Sequence, residues 1–320
     1  EAQEQIVRSI TSFALYGFPE SHSASFALIV YASAYLKAHH PAAFYASLLN
    51  AWPMGFYHPA TLVKDGERRG VEFRSVDVNL SGWRCRWESG AVRIGLRYVH
   101  GLQSAAAERV ESERARGPFR DAADLAGRCG LSAEQLERLA HVGALASLGL
   151  SRREALWQVS EVAGRRGPLF AALPPDDASP LPEMRPLEET VADYAGLHLT
   201  TGPHLMAYVR PELERRGVLP VAALDGIADG EHVRVAGAVI VRQRPGTAKG
   251  FVFLTMEDET GMVQAIIRPD LFREHRPFLI GTPVMVVEGT LQKRDGTISV
   301  KARRFEAVRA DAAVASHDFH

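Results

Sequence analysis

The strongest constraint on the fold lies in the last third of the chain, where apolar and polar residues alternate over five short segments. Alternation with period two is typical of strands that bury one face. The segments cover residues 232–242, 251–256, 262–267, 284–291 and 298–305, and a helical pattern at 269–275 follows the third. Five strands with a helix between the third and the fourth is the order of an OB-fold barrel, which we expect over residues 230–308.

Helical spacing of apolar residues dominates the middle of the chain. The predicted helices cover residues 103–114, 119–129 and 132–142. Ser132 with Gln135, and Ser151 with Glu154, have the spacing of a capping box, in which each side chain bonds the other residue's backbone N–H. These patterns predict a helical domain before the barrel.

Two turns in the helical part contain a glycine between apolar residues. They are the segments 99–102 and 141–144, with Gly101 and Gly143 at the turns. A glycine lets the backbone approach a phosphate, and the amides that start the next helix face the anion. We therefore predict two helix-hairpin-helix units, with Gly101, Gly143 and Arg97 as candidate DNA contacts. The alternative is a plain helical bundle with glycine turns.

The formal net charge of −1, from 37 basic and 38 acidic residues, argues against a uniformly basic nucleic-acid binder. The charge is unevenly distributed, however. Residues 230–304 hold twelve bases and eight acids, a net of +4, whereas residues 174–193 hold six acids and one base, a net of −5. We therefore expect a basic surface on the barrel and an extended, proline-rich acidic linker at 167–193.

Basic residues of the predicted barrel cluster in two loops, and such loops flank the binding face of OB barrels. Arg242, Arg244 and Lys249 are assigned to the first hairpin loop, and Lys293 and Arg294 to the loop after the fourth strand. We expect these five side chains to be exposed and to contact nucleic acid.

Two aromatic residues of the second strand, Phe251 and Phe253, are two positions apart and so share one face. On an exposed barrel face such rings stack on bases. The same spacing also fits the barrel core, and the core is the interpretation that we favour.

Residues with catalytic or metal-binding potential occur where a structural role is expected. Glu257-Asp258-Glu259 precedes a turn and Asp176-Asp177 lies in the linker, so both groups should be solvated. His39-His40 has no third ligand nearby. No phosphate-binding loop, nucleophile elbow or zinc-protease motif is present. We expect no catalytic residues, no metal site and no cofactor in this segment.

The compartment is inferred from apolar runs and cysteines. No apolar run reaches about 18 residues, so we expect no membrane-spanning helix and no membrane partner. Cys85 and Cys129 are too few for a disulfide framework, which favours a cytoplasmic location. The chain starts at Glu1 in a helix-like segment, and we interpret it as one part of a longer protein.

Several short motifs resemble those of C-family bacterial DNA polymerases, the relatives of the DNA polymerase III alpha subunit. The sequences YGFPESHSASFA at 16–27 and YLKAHHPAAF at 35–44 resemble the end of the fingers in this family. The segments PMGFY at 53–57, VDVN at 76–79 and SHDFH at 316–320 resemble its error-prone, damage-inducible branch. The resemblance covers essentially the whole chain.

The resemblance implies a multidomain α+β chain, in which a mainly helical fingers end and tandem helix-hairpin-helix domain precede an all-β OB-fold barrel. The implied division has six parts. They are the end of the fingers with a small α/β segment (1–95), the tandem helix-hairpin-helix domain (96–166), the acidic linker (167–193), a helical connector (194–229), the OB fold (230–308) and a C-terminal tail (309–320).

The family resemblance also implies an activity for the complete protein, which would extend a primer with deoxynucleotides using two Mg²⁺ ions. The catalytic palm and its aspartates would lie before Glu1. This segment would bind the primer-template duplex and the single-stranded template, and so take part in translesion synthesis and DNA repair.

Two positions depart from the replicative relatives. Those relatives carry a glutamine-led sliding-clamp motif where this chain has Arg166, followed by Leu169 and Phe170. We expect direct clamp binding to be weak or absent, so that an accessory mutagenesis protein supplies the clamp contact. The second departure is Val99, where the replicative relatives have glycine.

Two other functions remain open at this point. One is a non-catalytic OB-fold protein that binds single-stranded nucleic acid or tRNA. The other is a replicative polymerase alpha subunit, against which the altered clamp motif argues.

Overall fold

The first described part of the chain is helical. A computed structural model gives the fold and describes residues 3–7, 20–54, 57–164, 179–308 and 317–319. Helix α1 spans Glu20–His39, α2 spans Pro41–Ala51 and α3 spans Pro59–Arg68. The prolines that begin α2 and α3 stand in the first turn, where the missing N–H has no acceptor to lose.

A small three-stranded sheet follows α3. Strand β1 covers Phe73–Arg74, β2 covers Arg86–Glu88 and β3 covers Ala91–Arg93. The central strand is β3, which pairs parallel with β1 and antiparallel with β2. The α/β segment expected from the sequence is therefore present.

Four helices, preceded by short 3₁₀ turns at Leu96–Tyr98 and before α7 at Ala146–Leu148, form the next part. They are α4 (Ser104–Arg114), α5 (Ala122–Cys129), α6 (Ala133–His141) and α7 (Arg152–Gly164). The predicted capping box of α6 is confirmed, because Ser132 and Gln135 exchange side chain to backbone hydrogen bonds. Ser151 and Glu154 exchange the same pair of bonds at the start of α7.

One apolar core joins these elements into a single helical body. The core runs from Ala42 in α2 to Leu199, and it includes fully buried leucines of α5 and α6. Each such leucine contributes about 1.5–3 kcal/mol by its removal from water. The glycine turns of the two predicted hairpins are thereby held on a packed scaffold.

Two further helices connect the helical body to the barrel. Helix α8 covers Pro186–Leu197 and α9 covers Leu205–Arg215. The expectation of a solvated linker up to residue 193 is wrong beyond residue 185, because α8 begins at Pro186 and buries Asp193. The two acidic residues of its first turn favour the helix N-terminus, so an acidic composition did not mean an extended chain.

The five-stranded barrel predicted from the alternation is confirmed. Its strands are β4 (His232–Gln243), β5 (Val252–Glu257), β6 (Met262–Ile267), β7 (Val284–Arg294) and β8 (Thr297–Ala307). They pair in the order β5-β6-β8-β7-β4, and β4 also pairs with β5, which closes the barrel. Helix α10 (Pro269–Gly281) separates β6 from β7, and a short strand β9 (His317–Phe319) runs parallel to β4.

The expected α+β fold class is thus confirmed: helices and a small sheet precede an OB-fold barrel. Within the described ranges, no helix has the length and apolar character needed to cross a membrane.

Candidate nucleic-acid interface

The first hairpin presents an exposed glycine turn at the start of α4. Gly101 has a φ of +76°, in the left-handed region that favours glycine. Gln103, Ser104 and Ala105, which begin the helix, are exposed. Because the first N–H groups of a helix lack intrahelical acceptors and carry the positive end of its dipole, this helix start can bind a phosphate.

An arginine from α6 lies against this turn. Arg138 donates from Nη1 to the carbonyl oxygen of His100 at 2.7 Å and from Nη2 to Glu134 at 2.6 Å. A Cβ atom on Gly101 would overlap the Arg138 guanidinium, so only glycine fits both the backbone angle and the approach. Arg138 adds positive charge beside the helix start. Sequence reasoning missed it, because nothing local in α6 indicates a partner in the first hairpin.

The second hairpin has the same backbone angle but different hydrogen bonding. Gly143 has a φ of +75°, yet its N–H donates to the Ala140 carbonyl at 3.0 Å. The N–H of Ala144 donates to the Leu139 carbonyl at 2.9 Å, and Ala144 is buried. These amides are engaged inside the helical body, so the two predicted hairpins are not equivalent as phosphate sites.

Arg97, the third predicted contact of this domain, has partners inside the protein. Its guanidinium donates to the carbonyl oxygens of Asn50 at 2.7 Å and Trp52 at 2.6 Å. These bonds satisfy the carbonyl end of α2, which a helix leaves without intrahelical donors. The structure therefore gives Arg97 a scaffold role, and its DNA contact stays a prediction.

The barrel carries an aromatic and basic row on its outside. Phe253 of β5 pairs in register with Ile266 of β6, and Ile266 pairs with Lys301 of β8. Their neighbours along the strands, such as Leu254 and Ala265, are fully buried. The favoured assignment of Phe251 and Phe253 to the core is therefore wrong, because the alternate residues of β5 fill the barrel. We call Phe253, Thr255, Gln264, Ile266 and Lys301 the outer face of the barrel.

The first barrel loop differs from the expectation at one position. Arg242 lies in β4 and is buried, and its guanidinium donates to the carbonyl oxygens of Leu279 and Thr282, both at 2.8 Å. The expectation that Arg242 is an exposed loop residue is wrong, since β4 extends to Gln243 and the end of α10 covers this part of the strand.

The remaining predicted loop bases are placed differently from one another. Arg244 and Lys249 are exposed, and the Arg244 guanidinium lies 5.6 Å from the centre of the Phe272 ring. Arg294 is exposed in the β7–β8 turn. Lys293 is half-buried, because its Nζ donates to the carbonyl of Asp225 at 2.8 Å. Arg244, Lys249 and Arg294 are thus the predicted bases that are free to face a ligand in the solvent.

The acidic triplet at the end of β5 is not solvated, so that expectation is wrong. Glu257 and Asp258 are 3% and 0% exposed. Glu257 accepts a hydrogen bond from Arg68 of α3 at 2.7 Å, and Asp258 accepts one from Arg210 of α9 at 2.8 Å. Arg210 also pairs with Glu259. These carboxylates join the barrel to the rest of the chain and are unavailable as metal ligands.

Some predicted residues lie outside the described residues. They are the altered clamp motif Arg166, Leu169 and Phe170, and the acidic pair Asp176-Asp177. His39 and His40 are described, at the end of α1 and just before α2. Among the described residues, no group of three or more histidine, cysteine, aspartate or glutamate side chains could hold a metal ion.

Family models match both parts of this interface. A model described as a helix-hairpin-helix motif matches residues 70–155, and one described as an OB-fold nucleic acid binding domain matches residues 233–308. The first match begins before the hairpins and includes the small sheet, in agreement with the single core that joins them.

Whole-chain comparison finds relatives named error-prone DNA polymerase. The relative from Anaeromyxobacter dehalogenans (strain 2CP-1) is 42% identical over 99% of this chain and 29% of its own length. The relative from Azoarcus sp. (strain BH72) is 44% identical over 99% of this chain and 31% of its own length. The relative from Alkalilimnicola ehrlichii is 45% identical over 95% of this chain and 30% of its own length. The chain therefore belongs to the error-prone DNA polymerase family, and it spans less than a third of the length of these relatives.

Proposed function

We propose that this chain is the C-terminal, DNA-binding part of an error-prone DNA polymerase that performs template-directed synthesis. The first hairpin binds the phosphates of the primer-template duplex, and the outer face of the barrel binds the single-stranded template. The observation that carries the proposal is the exposed row of Phe253, Ile266 and Lys301, next to the exposed loop bases Arg244 and Lys249. An aromatic ring among cations is the arrangement that binds single strands without reading their sequence.

The hairpin suits the duplex for a related reason. Backbone amides at a helix start contact phosphates, which are the same at every base pair. Arg138 beside Gly101 adds a charge to that contact. A polymerase moves along any template, so both proposed contacts avoid the base edges.

The two Mg²⁺ ions of polymerase chemistry do not fit the residues described. A two-metal site needs several convergent carboxylates. The buried carboxylates Glu257 and Asp258 are instead paired with arginines, and the described residues contain no candidate ligand cluster. We assign nucleotide addition to the part of the polymerase outside this chain.

The biological setting is proposed from the sequence motifs of the error-prone branch. The chain would serve translesion synthesis and DNA repair after damage. Arg166 stands where a clamp motif has glutamine, which supports weak or absent direct clamp binding and an accessory protein that supplies the contact. The free, buried thiols of Cys85 and Cys129 support work in the reducing cytoplasm.

The test is the binding of the chain to a short single strand and to a blunt duplex, measured by fluorescence anisotropy at several salt concentrations. Replacing Arg244 and Lys301 by alanine should weaken single-strand binding and lower the salt slope by about 1.4, at roughly 0.7 for each phosphate contact. The matched control replaces Arg116 and Arg120, which are exposed bases on the helical body. It should leave the single-strand slope unchanged.

Replacing Phe253 by alanine removes stacking and should weaken single-strand binding by roughly 1–3 kcal/mol, with no change in the salt slope. Equal slopes for the barrel variant and its control would contradict the assignment of the outer face. Binding of the single strand without any binding of the duplex would favour the alternative of a single-strand-binding protein.

A further inference from the structure

The helical body and the barrel meet at a seam of buried charges. Glu257 and Asp258 leave β5 side by side, one paired with Arg68 of α3 and the other with Arg210 of α9. The Asp258 carboxylate also accepts the backbone N–H of Val221 at 2.8 Å. We call the Arg68–Glu257 and Arg210–Asp258 pairs the seam.

The connector is fixed to the helical body by a second set of polar contacts. Asp193 of α8 accepts from Arg152 of α7 and from Thr200, both at 2.7 Å. Lys64 of α3 donates to the carbonyl of Gly202 at 2.5 Å. These partners lie far apart in sequence, so the contacts tie the connector to one face of the body.

Apolar packing fixes the connector at both of its ends. Leu197 and Leu199 belong to the core of the helical body. Leu205 and Met206 of α9 belong to a cluster with Ala236 of β4. The barrel is therefore attached to the body through a packed connector and through one direct ion pair, Arg68–Glu257.

Buried charges restrict orientation more strongly than apolar contacts do. An apolar surface can slide at little cost, whereas a buried carboxylate separated from its partner is left desolvated and unpaired. Rotation of the barrel on the body would separate Glu257 from Arg68, and Asp258 from Arg210. The seam therefore selects one orientation of the barrel.

We propose that the seam positions the two DNA-binding surfaces relative to each other, so that one primer-template junction contacts the first hairpin and the outer face of the barrel together. Arg68 and Glu257 are positioning residues that touch no DNA. The inference rests on the proposed function, and its ligand is a duplex that continues into a single strand.

A fixed orientation has a measurable consequence for affinity. When two surfaces on one rigid unit bind one ligand, the second contact forms at a high effective concentration, and the junction binds more tightly than either part alone. When the orientation is free, much of this gain is lost although each surface is intact.

The experiment compares three DNAs with the full 320-residue chain: a single strand, a duplex and the junction that joins them. Arg68→Ala should bind the two simple DNAs as the unchanged chain does, and the junction roughly tenfold more weakly. The matched control is Arg69→Ala, which removes an adjacent arginine that is 54% exposed and pairs only within α3. Arg68→Lys keeps the charge and should restore most of the junction affinity.

The orientation itself is measured by electron–electron resonance between spin labels at two exposed positions, Arg116→Cys on the body and Arg294→Cys on the barrel. The chain with an intact seam should give one narrow distance distribution, and Arg68→Ala a broad one. If Arg68→Ala unfolds, Glu257→Gln, which has nearly the same shape, replaces it in both measurements.

The outcomes separate the two proposals. A junction that binds no more tightly than the better of its parts overturns the positioning role but leaves DNA binding intact. Equal losses for all three DNAs, or a narrow distribution in Arg68→Ala, overturn it as well. Failure of both simple DNAs to bind overturns the proposed function instead.

Discussion

Replacing Glu257 by glutamine should change how the stability of this chain responds to pH. Glu257 is 3% exposed at the end of β5. Burial disfavours the charged carboxylate and raises its pKa to about 7, although Arg68 and Lys64 act to lower it. Glutamine keeps the shape and can still accept a hydrogen bond from Arg68, but it does not titrate.

The sign follows from the direction of the shift. The pKa of Glu257 is about 7 in the folded chain against 4.5 for an ordinary glutamate, so the folded state holds the proton more tightly. The resulting stability is fully present below about pH 4.5 and is lost as the pH rises through about 7. At about 1.4 kcal/mol per pKa unit, the whole effect is about 3.4 kcal/mol, of which about 2.5 kcal/mol falls between pH 5 and pH 8.

The measurement is urea unfolding of the unchanged chain and of Glu257→Gln at several values from pH 5 to pH 8. The free energy of unfolding of the variant should rise relative to the unchanged chain by about 2.5 kcal/mol over this range. Glu134→Gln is the control, because the exposed Glu134 carboxylate has a pKa lowered by its hydrogen bond to Arg138. Its stability difference should run in the opposite direction with pH.

A difference between Glu257→Gln and the unchanged chain that does not vary with pH would refute the reasoning. So would a difference of opposite sign, since it would mean that the attraction of Arg68 and Lys64 outweighs the cost of burial. In that case the pair with Arg68 would stabilise the charged carboxylate at every pH above its own pKa.

The glycine turns and one histidine give two further predictions. Gly101→Ala should weaken duplex binding roughly tenfold in anisotropy titrations, because alanine costs about 1–2 kcal/mol in the left-handed region and its Cβ displaces Arg138. Gly143→Ala should lower the melting temperature but leave duplex affinity unchanged, because its N–H already donates to the Ala140 carbonyl; equal losses of affinity would contradict this difference. Burial lowers the pKa of His204 to about 3, so its ring should show no titration by NMR between about pH 8 and pH 5. His204 then adds stability that is present above about pH 6.5 and is lost as the pH falls, and a midpoint near 6 would contradict it.

The barrel was predictable because its information is local. Period-two alternation and turn residues marked each strand, and β6 was predicted with the same bounds that the structure has. Its neighbours differ by three residues at most, as at the end of β7, which extends to Arg294. The caps of α6 and α7 were predictable for the same reason, since both partners lie three residues apart.

The orientation of β5 could not be read from the sequence, because both of its faces are apolar. Phe251 and Phe253 alternate with Val252 and Leu254, so hydrophobicity does not distinguish inside from outside. The pairing with β6 decides the matter by placing Leu254 beside the buried Ala265. A bulky ring on the outside also had no local signal that separates it from a core residue.

The buried charges were missed because their partners are distant. Arg68 lies 189 residues before Glu257, and Arg210 lies 48 residues before Asp258. Without these partners, an acidic triplet before a turn looks like a solvated strand end. Arg242 was misplaced for a related reason, since its acceptors are carbonyl oxygens of α10 that no spacing rule connects to β4.

These corrections change the charge that the barrel offers to DNA. Residues 230–304 hold twelve bases and eight acids. Glu257, Asp258 and Glu259 are occupied by arginines from outside the barrel, and Arg242 is buried. Without these four, eleven bases face five acids, a net of +6 rather than +4. The seam therefore gives the barrel a more basic solvent-facing surface than its composition indicates, because it removes carboxylates that would repel a phosphate backbone.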